Sequence, residues 1–180
     1  MAIRVSLMPH PDNPSTTVTS VEVELIACPD DLLISYFVTG TQDLIVPEWR
    51  AGDRSDGLWE TTCFEAFLKP EESESYFEFN FSPSTEWAAY RFDHYREGRT
   101  DLPRLVEPFL TPGHEPSEPL LEVDLDLSGL PNLPLRLGLS AVIEEVGGRK
   151  SFWALAHPPG TPDFHHRDCF QIELPAAEAA

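Results

Sequence analysis

Two short segments between Gly57 and Tyr95 constrain this chain more than anything else in it. In the first, Phe64, Ala66 and Leu68 alternate with Cys63 and Glu65; in the second, Phe77, Phe79 and Phe81 alternate with Tyr76, Glu78, Asn80 and Ser82. Successive side chains of a strand point to opposite faces, whereas a helix returns to one face every three or four residues. A period of two therefore predicts two antiparallel strands joined by KPEESES, each turning an apolar face to a core. The opposite face carries carboxylates, an amide and hydroxyls beside aromatic rings, the mixture a ligand-binding sheet requires.

The same alternation recurs along the chain. Residues 3–8 suit an edge strand, and Val21, Val23 and Leu25 alternate with Glu22 and Glu24, with CPDD turning the chain into a partner at 32–39. Residues 45–49 suit a short strand or an irregular cover, and 86–95 a further strand. Residues 96–119 are weakly patterned and predict a surface-wrapping loop, a strand around Val106 and a candidate lid. Leu121, Val123 and Leu125 alternate with acids, and Leu135 to Ile143 form a long strand. Gly147-Gly148 marks a two-residue hairpin into 151–157, and 170–174 closes the pattern before a flexible tail. Eighteen prolines punctuate short elements, and no helical period runs far. These features predict one all-β domain over 1–180, an antiparallel β-sandwich of jelly-roll type with its core at about 20–174.

Composition narrows the partners. With 31 acidic and 12 basic residues the net charge is −19, which repels phosphate backbones and anionic membrane surfaces, so neither nucleic acid nor membrane is expected. The 41% of hydrophobic residues is enough for a core. Cys28, Cys63 and Cys169 are an odd number without CxxC spacing, which points to a reducing compartment. Pro9, His10, Pro11 and Asp12 interrupt any apolar signal core, so a cytoplasmic location is expected.

The segments LWETTCFEAFL, YFEFNFSPSTEWAAYRFDHY, LLEVDLDLSGL and SFWALAHPPGTPDFHHRDCF, in that order, resemble the DOMON-like domains, β-sandwiches related to family 9 carbohydrate-binding modules. The wording is similar to a bacterial subgroup also found fused to a UDP-N-acetylenolpyruvoylglucosamine reductase, although this chain has no flavin or GxGxxG motif. The resemblance implies an immunoglobulin-like carbohydrate-binding-module sandwich that binds a sugar or related small molecule on one concave sheet face. In such relatives aromatic platforms stack the sugar ring and polar groups hold its hydroxyls. Carried onto this sequence, Trp59, Trp87 and Trp153 are the candidate platforms, with Glu65, Glu78, Asn80 and Arg91 as hydroxyl partners. Each also has a structural reading: Trp as core, the charged residues as cross-strand pairs, and Asn80 as a turn organiser. Haem-binding relatives use Met and His, and Met1 and Met8 are the chain's methionines, so no cofactor is expected.

Three functional classes stay open at this point. The first is a non-catalytic sugar-binding domain. The second is an intracellular interaction or assembly domain that has lost its ligand, for which a homodimer is one expected form. The third is a hydrolase using paired carboxylates such as Glu65 and Glu78, or a metal held by His157, Asp163, His165 and His166. That last set matches no zinc spacing, and the acidic loops at Asp30-Asp31 and Asp53–Asp56 lack calcium-loop spacing. No GxSxG elbow is present, and Cys63 has no assignable histidine partner.

Overall fold

The computed structural model describes residues 2–28, 30–103, 107–113, 115 and 118–176. Among them are twelve strands: β1 (Ala2–Pro9), β2 (Ser20–Ala27), β3 (Asp31–Thr39), β4 (Cys63–Pro70), β5 (Tyr76–Phe81), β6 (Trp87–Phe92), β7 (Thr100–Asp101), β8 (Phe109–Pro112), β9 (Leu121–Asp126), β10 (Leu135–Glu145), β11 (Arg149–Ala154) and β12 (Phe170–Leu174). Every pairing between them is antiparallel. One sheet runs β1-β2-β3-β9-β8; the other runs β7-β6-β5-β4-β10-β11, with β12 also on β10. β1 belongs to both, since Ala2 to Leu7 pair with β2 while Met8 and Pro9 pair with β11. A strand that changes sheets makes a sandwich corner.

The inward rows follow the sequence period. Val21, Val23, Leu25, Leu32, Ile34, Tyr36, Leu121, Val123 and Leu125 come from the first sheet. They meet Phe64, Ala66, Leu68, Phe77, Phe79, Phe81 and the leucine row of β10 from the second. Tyr36 stacks on Phe64 with ring centroids 4.4 Å apart, and its hydroxyl donates to the Glu65 carbonyl at 3.3 Å. The predicted Gly-Gly hairpin is present between β10 and β11, with φ of +92° and +77° at Gly147 and Gly148, conformations that cost glycine little.

Two expectations change. β4 and β5 are buried on both faces, where one wet face was expected. A 3-10 turn at Leu58–Glu60 and the segment leading to Phe170 cover the outer face, building a second apolar cluster from Leu58, Cys63, Phe67, Tyr76, Tyr90, Phe92, Phe164 and Phe170. Gly138 of β10 permits the close approach of this cover: a Cβ there would sit 3.1 Å from the Cys169 carbonyl oxygen. Second, β6 ends at Phe92 rather than Tyr95, while residues 45–49 take the irregular of the two forms expected. The expected strand around Val106 lies outside the described residues; β8 pairs with β9 a few residues later.

Glu145, at the end of β10, fastens the loop before β2. Its buried carboxylate accepts from the backbone N–H groups of Thr16 (2.7 Å), Thr17 (2.6 Å) and Val18 (3.2 Å), and from the Thr17 hydroxyl (2.7 Å). Burial pushes its pKa upward, but these four bonds override it and hold the group down at about 2. A depressed folded pKa stabilises the fold above the ordinary 4.5, and that stabilisation is lost as the pH falls toward 2. Glu145→Gln should cost about 1–3 kcal/mol at neutral pH. Urea denaturation should also show a flatter loss of stability below pH 4.5 in the variant than in the wild type.

Candidate functional site

Strand register assembles a polar patch in the middle of the covered outer face. Glu65 of β4 lies opposite Asn80 of β5 on one side and opposite Ser140 of β10 on the other. Glu78 is two residues from Asn80, and so diagonal to Glu65 on the same face. All four are buried. Ser140 Oγ donates to Glu65 Oε2 at 2.8 Å, and Asn80 Nδ2 donates to Glu78 Oε1 at 2.8 Å. Asn80 Oδ1 has no partner among the described residues. Burial, then the neighbouring Glu78 charge, pushes the Glu65 pKa up to about 8. Burial also raises Glu78, against the opposing pull of Asn80, Arg99 and Arg96. Two carboxyls this close in a dry setting hold on to a proton at neutral pH.

Above this floor a cleft of about 280 Å³ is lined by Trp59, Glu78, Phe92, Arg96, Arg99 and His165. Trp59 reaches it from the 3-10 turn, which starts at Gly57 in the left-handed region (φ +76°). The indole meets Tyr90 edge to face, with centroids 6.5 Å apart, and remains 37% exposed. The turn from β6 to β7 supplies the two arginines. Arg96 has φ +56°, unusual for a side chain with a Cβ, and is held by Asp163 through Nη2 (2.8 Å) and Nε (3.2 Å). The Arg99 guanidinium lies over the Tyr90 ring, 4.7 Å from its centroid.

His165 forms the opposite wall. The Arg96 backbone N–H donates to the Tyr76 hydroxyl at 3.1 Å, and that hydroxyl lies 2.7 Å from His165 Nδ1. A Tyr76 hydroxyl that donates to Nδ1 leaves the ring proton on Nε2. Burial, then Arg96, lowers the His165 pKa to about 4, so the ring is neutral near pH 7. Nε2 stands 3.7 Å from Glu78 Oε2, longer than a hydrogen bond, so its N–H is free for a third group in the cleft.

The predicted residues separate into three sets. Trp59 and Glu78 line the cleft, with Glu65 and Asn80 buried behind them. Trp87 and Trp153 belong to the core between the sheets, where their indole N–H groups donate to the Gly52 carbonyl (3.2 Å) and Ser151 Oγ (2.9 Å). Strand alternation puts Arg91 in the inward row of Trp87 and Ala89, at its exposed end, where it pairs with Asp93 at 3.2 Å. Neither these two tryptophans nor Arg91 is on the cleft face. The candidate metal ligands also diverge: His157 bonds the Met8 carbonyl (2.8 Å), Asp163 pairs with Arg96, His165 meets Tyr76, and His166 accepts from the Asp168 N–H (3.3 Å). Among the described residues no cluster of three such groups could hold an ion.

No protein-family model matches this chain, and no curated protein does. Solved structures do. A protein from Bacteroides uniformis, provisionally described as carbohydrate-binding, superposes with a TM-score of 0.63 at 15% identity, covering 94% of this chain and 84% of its own. A family 9 carbohydrate-binding module from Caldicellulosiruptor kristjanssonii, solved in complex with cellotriose, superposes with a TM-score of 0.50 at 14% identity, covering 82% of this chain and 70% of its own. The fold is that of a family 9-like sandwich. At these identities the likeness extends to the fold.

Arg96, Arg99, Phe92 and the wall role of His165 escaped the sequence reading. Strand alternation carries no information on where a turn or a covering loop lands. Two outcomes test the assignment. Trp87→Ala should cost about 3–5 kcal/mol and Trp59→Ala about 1 kcal/mol or less, by chemical denaturation. For Glu65, a raised folded pKa means the native state keeps a proton that the unfolded state releases, so stability declines as the pH rises from 4.5 through about 8. Thermal melts should therefore show Glu65→Gln gaining on the wild type as the pH rises across this window.

Proposed function

We propose that the protein is a non-catalytic carbohydrate-binding domain whose site is the cleft between Trp59 and His165. The observation that carries this reading is the half-exposed Trp59 ring beside a buried, prearranged polar floor. Sugar rings offer apolar C–H faces and polar edges, and a stacked indole with adjacent polar groups answers both. Glu78 is the floor group in direct reach of a sugar hydroxyl, and the His165 Nε2–H is a donor facing it across the cleft. Asn80 and Glu65 act beneath, fixing the Glu78 carboxyl and its proton content. The shared fold with a cellotriose-bound module agrees with this reading.

The same geometry argues against glycoside hydrolysis. That chemistry needs two carboxyls flanking the bond to be cut. Here Glu78 lines the cleft, while Glu65 is turned under it to Ser140 and is not part of the lining. Calorimetry with glucose and cello-oligosaccharides should show binding that weakens roughly tenfold or more in Trp59→Ala, with the far-UV circular dichroism unchanged. Equal affinity in that variant would remove the site.

A second reading, as an interaction domain, rests on the outer face of the first sheet. Ile26, Leu33 and Phe109 share a shallow depression there, and Phe109 is 72% exposed. On this reading light scattering should detect self-association that Phe109→Asp abolishes.

A further inference from the structure

In a chain with 31 acids and 12 bases, the linings of the outer-face clefts reverse the balance. The Trp59 cleft shares its His165 wall with a neighbour of about 480 Å³ lined by Lys69, Glu74, Tyr76, Tyr95, Arg167 and Phe170, among others. Together the two linings hold four of the twelve bases, Lys69, Arg96, Arg99 and Arg167, against two acids, Glu74 and Glu78. Random placement on so acidic a surface gives the opposite ratio.

The four cations are not equivalent. Arg96 is committed to Asp163, and Arg167 is mostly exposed with Asp168 at a distant 3.8 Å. Arg99 and Lys69 have no carboxylate within ion-pair reach among the described residues. Arg99 instead lies over the Tyr90 ring, its guanidinium carbon 4.7 Å from the ring centroid. A guanidinium held by a ring rather than by a carboxylate keeps N–H donors for a ligand, and its planar fork matches a carboxylate or phosphate with two parallel bonds. Tyr90 is itself fixed, since its hydroxyl donates to Asp56. An arginine already held over a ring costs less ordering entropy on binding than a free one.

We propose that the preferred ligand is an acidic saccharide, whose ring stacks on Trp59 while its anionic group is forked by the guanidinium of Arg99. Lys69 and Arg167, across His165, give a longer acidic glycan a second positive subsite. This inference rests on the carbohydrate reading above and names its ligand class. The anion is a carboxylate or a phosphate, which Arg99 reads through the same fork.

Isothermal titration with glucose, glucuronic acid and glucose 6-phosphate separates these possibilities. The expected result is that at least one acidic sugar binds roughly tenfold more tightly than glucose, and the stronger of the two identifies the anion. The ratio should fall toward one in Arg99→Gln, recover only in part in Arg99→Lys, and shrink as salt is raised. If glucose binds in a Trp59-dependent manner with no acidic preference, or the preference survives in Arg99→Gln, the inference falls while the carbohydrate reading stands. If no sugar of either kind binds, both fall.

Discussion

Backbone pairing along β10 joins every part of this molecule that matters to the cleft. One edge of its eleven residues pairs with β4; the other is divided between β12, whose pairing shifts register between Leu137 and Gly138, and β11 from Ser140 onward. Its inward leucines close the sandwich, while its outward Ser140 holds Glu65. Its missing Cβ at Gly138 admits the covering segment, and its terminal Glu145 fastens the loop before β2. A long, central, doubly paired strand also removes its own unpaired edges, which is how sandwiches of short strands gain rigidity.

That rigidity makes a charged floor tolerable. Burying carboxyls is costly unless they are hydrogen-bonded or retain a proton. Glu65 and Glu78 are hydrogen-bonded and their pKa values rise, whereas at Glu145 four donors keep the carboxylate ionised. Two buried acids with raised pKa values and one with a lowered value therefore follow from one rule. Donors stabilise the charge; apolar walls and like charges oppose it.

Much of the fold was legible in the chain. Phe64/Ala66/Leu68 and Phe77/Phe79/Phe81 could not occupy one face of a helix, and both rows line the inter-sheet core. Gly147-Gly148 carried its turn type in its composition. The outer face was legible only in part. Glu65, Glu78 and Asn80 were recognised as one face because parity alone assigns them, but parity cannot say that a loop folds over that face and dries it. The tryptophans show the limit most clearly. Trp59, Trp87 and Trp153 are the same residue type in similarly aromatic surroundings, yet Trp59 alone of the three lines the cleft. For Trp87, the opposite face with Tyr90 and Phe92 is just as aromatic, and register with β5 sets Trp87 beside Phe81 in the inward row.

What the sequence determined by itself is therefore the architecture: an antiparallel sandwich, its inward rows and the shared face of Glu65, Glu78 and Asn80. These depend on a local period of two, which survives in any sheet that buries one side. Tertiary structure decided the site. Arg96 and Arg99 arrive on a turn, His165 on a covering segment, and Trp59 on a single 3-10 turn between a glycine and β4. Their meeting depends on long-range packing over the outer face, and no spacing along the chain encodes that distance.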